Sequence, residues 1–305
     1  MAEEKKRLIV IDANSVLHRA YHALPPLTTK KGELVNAIYG FLLVLFKAVR
    51  EFQPDYIAAC FDTPQLTFRH QKFKEYKAKR PPLPEELSQQ IPKVKEALKA
   101  FDIPIFEKEG FEADDIIGTI SKKFQKKQVF PKVEIIILSG DLDTLQLVDN
   151  QTRVYFLKKG VKETTFYNEE RVKERYQGLG PEQILDFKAL TGDPSDNVPG
   201  VKGIGEKTAI KLLREFRNLE NLYQNLKEVG KLNPKLMEVL IQAKDQVFFN
   251  KTLIDIKTDL LIDFDFEKNQ WEGYNRKKVE EVLNQLEFYS LLKKLPESDK
   301  KMRLF

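Results

Sequence analysis

The sequence predicts an α/β protein: a central, mostly parallel twisted sheet flanked by helices, followed by a helical lobe. Three observations carry this. The short apolar runs Leu8–Ile11, Tyr56–Phe61 and Val133–Leu138 have the length and continuity of strands covered on both faces. Segments with apolar residues at helical spacing lie between them. After about Asn168 the strand-like runs largely disappear and short helical segments take over.

Taken in order, Glu33 to Phe52 repeats Leu34, Ile38, Leu42, Leu45 and Val49 on one helical face, and the next strand follows Pro54-Asp55. Strand, long helix, strand is a βαβ unit, which builds parallel sheets with right-handed crossovers. Ile103–Phe106 reads as another strand, Glu112 to Lys127 as a helix and Leu142–Val148 as a short helix. Stops at Gly178, Gly180-Pro181, Pro199-Gly200, Gly230 and Asn233-Pro234 divide the lobe. The expected organisation is an α/β core over 1–167, a helical lobe over 168–295 and a polar tail or linker over 296–305.

The chain of 305 residues is long enough for both parts. Charged residues make up 32% and the net charge is +5 despite clustered acids, so the positive excess lies elsewhere, facing an acidic partner such as nucleic acid. The one cysteine, Cys60, rules out a disulfide within the chain and reads as a buried core thiol. Met1 to Arg7 is charged and leads into only four apolar residues, unlike a secretory signal. Leu34 to Phe52, the longest apolar segment, contains Asn36, Lys47, Arg50 and Glu51 and falls short of a membrane span. A cytoplasmic protein with no membrane partner is expected.

Acids recur in five places: Asp12, Asp62, Glu112-Ala113-Asp114-Asp115, Asp141-Leu142-Asp143 and Asp193-Pro194-Ser195-Asp196. Asp12 and Asp62 close apolar runs and Asp141 follows another, and strand carboxyl ends are where sites gather in α/β sheets. Singly, Asp12 and Asp62 also read as helix N-caps, and the acids from Glu112 to Asp115 as favourable charge at a helix start. Stability asks for a cap at each helix, not paired and tripled carboxylates on one sheet edge. Two like charges about 4 Å apart repel by roughly 4 kcal/mol at an effective dielectric near 20, so convergence requires counter-charge. A donor set of oxygens without histidine or thiolate suits Mg²⁺ or Mn²⁺ and disfavours zinc. Two such ions form a site for phosphodiester cleavage.

Two further segments stand out. Thr67 to Pro82 carries six Lys or Arg against one Glu, with Phe68, Phe73 and Tyr76 interleaved, in a long excursion between strands. It reads as a nucleic-acid contact against the alternative of a solvated charged loop. Gly200-Val201-Lys202-Gly203-Ile204-Gly205, between a helix ending near Leu190 and one starting near Gly205, reads as a helix-hairpin-helix (199–209) that presents backbone N–H groups to phosphate, with Lys202, Lys207 and Lys211 around it. The alternative is a plain tight turn.

Phe111-Glu112-Ala113-Asp114-Asp115, Leu190-Thr191-Gly192-Asp193-Pro194-Ser195-Asp196-Asn197 and Gly200-Val201-Lys202-Gly203-Ile204-Gly205, in this order, resemble the 5′-nuclease family: the 5′-to-3′ exonuclease domains of bacterial DNA polymerase I and the related flap endonucleases. The resemblance covers about Leu8 to Leu295. It implies a mixed sheet, a helical arch over the site (about 67–100) and a helix-three-turn-helix unit gripping duplex DNA. Carried over, Asp12, Asp62, Glu112, Asp114 and Asp115 match a tighter metal site, and Asp141, Asp143, Asp193 and Asp196 a second one. Arg69, Lys77 and Arg80 match the arch cations that steer the 5′ strand and neutralise the scissile phosphate, Tyr76 a stacking residue, and Arg19 another cation near the site. Gly200, Lys202, Gly203, Gly205 and Lys207 match the hairpin contacts. Two or more Mg²⁺, with Mn²⁺ as substitute, K⁺ at the hairpin and DNA with a 5′ flap, nick or 5′ end are implied in the same way; a monomer is expected, and the chain reads either as a stand-alone enzyme or as the front of a longer polymerase. Leu142 stands where polymerase-type members often carry Lys, which bears on how the second metal is held. A metal-free DNA-binding module would have lost one or more acids, and RNA-cleaving nucleases of similar architecture generally lack the hairpin.

Overall fold

The computed structural model describes residues 6–126, 133–161, 163–265 and 269–298. The residues of the expected tail beyond 298, the N-terminal residues 1–5 and the last residue of the helix expected to reach Lys127 lie outside these. Strands β1 (Arg7–Asp12), β2 (Tyr56–Cys60), β3 (Ile105–Phe106), β4 (Glu134–Ser139), β5 (Thr152–Lys159) and β6 (Glu163–Tyr167) form one sheet in the order β3-β2-β1-β4-β5-β6. All neighbours are parallel except β5 and β6, which pair antiparallel. The β5-β6 hairpin was not legible as strands, because Thr152–Lys159 begins and ends in polar residues and lies at the sheet's far side. The chain runs outward from β1 through β2 to β3, then returns to place β4 on the other side of β1. The strand order reverses there, and the crevice beyond the carboxyl ends of β1 and β4 is where such sheets bind ligands.

Strand residues alternate between two cores, as the pleat requires. Ile9, Ile11, Ile57, Ala59, Ile136 and Leu138 face the helices α1 (Ala13–Ala23) and α2 (Asn36–Phe52). The short α3 (Phe68–Lys72) and α4 (Glu85–Ser88) precede α5 (Ile91–Ala100), which joins the same layer. Leu8, Val10, Ala58, Cys60, Ile135 and Ile137 face α6 (Ala113–Lys126). Cys60 is buried and free, as expected.

After β6 come α7 (Glu169–Arg175), α8 (Ile184–Thr191), the two-residue ladder β7 (Gly192–Asp193) with β8 (Val198–Pro199), then α9 (Glu206–Phe216), α10 (Leu219–Gln224), α11 (Leu226–Leu232), α12 (Pro234–Gln242) and α13 (Lys244–Ile254). From α8 to α13 these pack around a separate core that includes Leu190, Val201, Ile204, Leu213 and Val247.

Two features differ from the sequence reading. The lobe does not run unbroken to 295: Trp271 is buried in the first core, where its indole N–H donates to the Phe101 carbonyl at 2.9 Å. Gln270 bridges to Tyr56, and α14 (Arg276–Gln285) and α15 (Tyr289–Leu292) lend Val279, Leu283 and Leu291 to that core. Their apolar faces find more surface against α2 and α5 than a small helical lobe offers. The segment expected as a helical arch (about 67–100) is also not one continuous helix: it holds α3, α4 and α5, and between α3 and α4 the chain forms turns from Lys74 to Lys79, a bend at Arg80 and the Pro81-Pro82 stretch, where prolines without N–H groups cannot sustain a helix.

Candidate metal and nucleic-acid site

Asp12 ends β1 and caps α1, with Oδ1 accepting from the Ser15 N–H at 3.1 Å. Its other oxygen accepts from the Ser139 hydroxyl at 2.6 Å, which ties β1 to the end of β4. Asp62, just past β2, accepts from the Ala113 N–H at 2.8 Å and so caps α6. That helix starts with Asp114 and Asp115 in its first turn. Asp141 follows β4 and accepts from the Asp143 N–H at 2.9 Å, starting the 3₁₀ turn Leu142–Leu147. Asp193 follows α8, whose end is turned by Gly192 at φ +80°, and accepts from the Ser195 N–H at 3.0 Å and hydroxyl at 2.6 Å. Capping and convergence therefore coexist: one oxygen of several acids closes a helix or turn while the other remains for the site.

Asp12, Asp62, Glu112, Asp114, Asp141, Asp143 and Asp196 line one cavity of about 1590 Å³, together with Arg19, Lys77 and Arg80. Oxygens of Asp143, Asp193 and Asp196 lie within 4.8 Å of one another. Burial pushes the Asp12 carboxyl up to about 7, and Asp62 and Asp141 add to this; burial and the charge of Asp141 push Asp143 to about 7 as well. Burial and the charges of Asp12, Asp141 and Asp143 hold Asp114 well above the usual carboxylate range. Crowding of this kind is relieved by cations, and the donors are all oxygen, so the residues fit a hard divalent ion.

Asp115 does not join the cavity. Its carboxylate, 0% exposed, takes a bidentate pair from Arg69 at 2.7 and 2.8 Å and the main-chain N–H groups of Glu112 at 3.1 Å and Lys257 at 2.8 Å. With its acceptor sites filled, it anchors the start of α6 and is not placed to ligate an ion. Arg69 does line the cavity, but its donors are already engaged. It is 2% exposed, and its remaining N–H groups donate to the carbonyls of Leu253 at 2.7 Å and Asp255 at 2.8 Å. A guanidinium so committed fixes the base of the basic segment and does not steer a strand. Tyr76, expected to stack on a base, is 3% exposed and donates its hydroxyl to Asp196 at 2.7 Å, with Glu112 at 3.2 Å.

Lys77 and Arg80 do reach the acids. The Lys77 ammonium lies 2.7 Å from Glu112, its main-chain N–H donates to the Asp196 carbonyl at 2.9 Å, and its φ of +56° is unusual for a residue with a side chain. Such a conformation costs on the order of 1–3 kcal/mol and persists only where surrounding contacts impose it. Arg80 pairs with Asp196, and Arg19 donates to the Gly140 carbonyl at 2.7 Å. Gly140 is needed there, since a Cβ would lie 2.7 Å from the Arg19 side chain.

The hairpin stands apart on the lobe core. Val201 and Ile204 are buried, whereas Lys202, Gly203, Gly205, Lys207 and Lys211 are exposed. Only Gly203 takes positive φ, at +91°. Gly200 is required for a different reason: a Cβ there would sit 2.1 Å from the Thr191 carbonyl oxygen. None of the hairpin residues lines the cavity.

Lys188 escaped the sequence reading. Its ammonium lies 2.8 Å from Asp193 and also pairs with Asp143. The signal was a lone lysine in the otherwise apolar stretch Phe187 to Leu190, five positions before Asp193. His18 and His22, with ring nitrogens 3.2 Å apart, also line the cavity.

A carboxylate-lined, cation-threaded crevice at the switch point of a parallel sheet defines a phosphodiester-hydrolysing class of enzyme. The family described as 5′-3′ exonuclease, N-terminal resolvase-like domain, matches residues 7–177, and the 5′-3′ exonuclease, C-terminal SAM fold, matches residues 179–277. The chain belongs to the 5′-3′ exonuclease family. It is 44% identical over 294 residues to DNA polymerase I of Bacillus subtilis, covering 96% of this chain and 33% of that protein. It is also 44% identical over 291 residues to DNA polymerase I of Caldicellulosiruptor bescii, covering 95% and 33%. The chain thus spans about a third of the length of these relatives. In fold it is similar to the T5 D15 protein co-crystallized with metal ions, with TM-score 0.69 and 20% identity over 92% of this chain and 99% of that one. The catalytic core of Rad2 in complex with DNA substrate gives TM-score 0.59 and 16% identity over 94% and 89%. Among the described residues no helix is long and apolar enough to cross a membrane.

Proposed function

We propose that this chain is a divalent-metal-dependent, structure-specific 5′ nuclease that removes 5′ nucleotides and 5′ flaps from nicked or branched duplex DNA, in primer removal and repair. The observation that carries this reading is the arrival of carboxylates from separate segments in one cavity beside Lys77 and Arg80. Asp12, Asp62, Glu112 and Asp114 would hold one Mg²⁺, and Asp141, Asp143, Asp193 and Asp196 a second, with Mn²⁺ able to replace it. Held there, the ions would supply an activated water and charge stabilisation at the leaving oxygen of a phosphodiester.

The chain's own residues orient the substrate. Lys77, held among the acids, is placed to meet charge developing on a scissile phosphate, and Arg80 and Arg19 draw the backbone of the 5′ strand along the cavity wall. Lys202, Lys207 and the exposed backbone at Gly203 hold the duplex away from the chemistry. A K⁺ ion at the hairpin would be held by backbone carbonyls near Gly200–Gly205. Continuation into a polymerase domain, a monomeric state and a cytoplasmic setting belong to the same proposal. The test is a flap substrate labelled at its 5′ end. Cleavage with Mg²⁺ or Mn²⁺ and none with chelator is expected, and cleavage indifferent to chelator overturns the reading.

A further inference from the structure

The second acid set carries its own cation. Lys188 is delivered by α8, the same helix whose end turns through Gly192 into Asp193, so ammonium and carboxylate are fixed by one rigid piece of backbone. Its side chain is 15% exposed and touches Asp143 as well as Asp193. These are two of the three acids whose oxygens lie within 4.8 Å of one another. The third, Asp196, is occupied by Tyr76 and Arg80. The first set has cations at one acid only, Lys77 and Arg69 at Glu112, and Asp12 and Asp114 have no lysine or arginine partner among the ion pairs of the described residues.

We propose that Lys188 is a tethered counter-cation of the second acid set: it holds Asp143 and Asp193 together in the metal-free protein, and a divalent ion entering there must displace its ammonium. Lys188 is thus a positioning residue that makes the second ion the weaker-bound of the two. The physical reason is competition. An ion pair largely screened from water is attractive to both partners, and a newcomer that takes the carboxylates inherits the cost of breaking it and of leaving the ammonium without partners. A tethered cation also lowers the repulsion between acids that otherwise opposes folding before metal arrives.

This deepens the proposed function and rests on it. The experiment is calorimetric titration of the whole chain with Ca²⁺, without DNA, beside thermal melts with and without the ion. Lys188→Met keeps the aliphatic stem and removes the charge. It should bind the weaker Ca²⁺ roughly tenfold more tightly, about 1.4 kcal/mol, melt lower than wild type without metal, and gain more from metal than wild type does. Lys188→Arg retains the cation and should restore wild-type affinity, a rescue that a purely packing role would not give. Equal or weaker Ca²⁺ binding by Lys188→Met overturns the inference. If that variant does not fold, Lys188→Gln takes its place with the same expected direction. Failure of wild-type protein to bind any divalent ion would instead overturn the proposed function, so the two failures are told apart.

Discussion

The two acid sets meet at one cavity, which all their members but Asp193 line, yet they are built differently. The first stands on strand ends and on the start of α6: Asp12 and Asp62 each give one oxygen to a helix N-terminus, and the second oxygen of Asp12 accepts from Ser139. The second stands on turns, and its members are partnered by Lys188, Arg80 and Tyr76. The consequence is electrostatic. Asp114 is held well above the usual carboxylate range by burial and like charges, whereas Asp193, although buried, lies below it because Lys188 and the Ser195 hydrogen bonds favour the charged form. Within the second set Asp193 is neutralised by the chain itself, whereas Asp143 stays raised at about 7 despite Lys188. A comparable contrast separates the neighbours Asp114 and Asp115, the first lining the cavity and the second saturated by Arg69.

The contrast is broken most sharply by paired substitutions. Asp114→Asn keeps the volume but removes one ligand charge, so cleavage of a flap should fall by about two orders of magnitude or more while DNA binding persists. Because a like charge has gone, its metal-free melting temperature should equal or exceed wild type. Near-normal turnover with Mg²⁺ would remove Asp114 from the site. Arg69→Ala should do the reverse to stability. It strands the buried Asp115 carboxylate and should cost about 3–5 kcal/mol, read by denaturant unfolding. A loss under about 1 kcal/mol would mean that the pair is solvated and dispensable.

A pH series sharpens the comparison. The Asp143 carboxyl sits at about 7 in the folded protein against an ordinary 3.8. The folded state therefore binds its proton more tightly than the unfolded chain, so this group's contribution falls as pH rises from about 4 to about 7 and is flat above. Asp143→Asn removes that slope. Metal-free, it should gain on wild type by on the order of a few degrees between about pH 5 and about pH 7.5; a constant difference would deny the shift. Comparing variant with wild type cancels the groups that the substitution leaves unchanged.

The smallest effect on chemistry is expected far from both sets. Gly203→Val forces a β-branched residue into a left-handed φ of +91° at the exposed hairpin tip. Affinity for a flap substrate should weaken and its salt dependence flatten, the slope of log K against log salt changing by about 0.9 for each duplex phosphate that the variant no longer neutralises. Cleavage at saturating DNA should suffer less than affinity. Unchanged binding titrations across salt would reduce the glycine to a turn residue.

Most of what can be read along one strand or helix was legible in the sequence. Continuous apolar runs identify β1, β2 and β4 because strands covered on both faces leave no polar face, and acids just past their ends follow directly from that geometry. The hairpin's glycines were legible as a motif, although only Gly203 uses its freedom of φ and Gly200 answers a steric demand from Thr191. What only the tertiary structure decided is which charges meet. Arg69 and Asp115 are 46 positions apart, and Lys188 and Asp143 are 45 apart. A cation in a basic run looks the same in sequence whether it faces DNA or a buried carboxylate. The return of Trp271, α14 and α15 to the first core belongs to the same class. Local propensity sets which elements form, but burial and pairing are set by what the folded chain places opposite each side chain, and spacing along the sequence does not encode that.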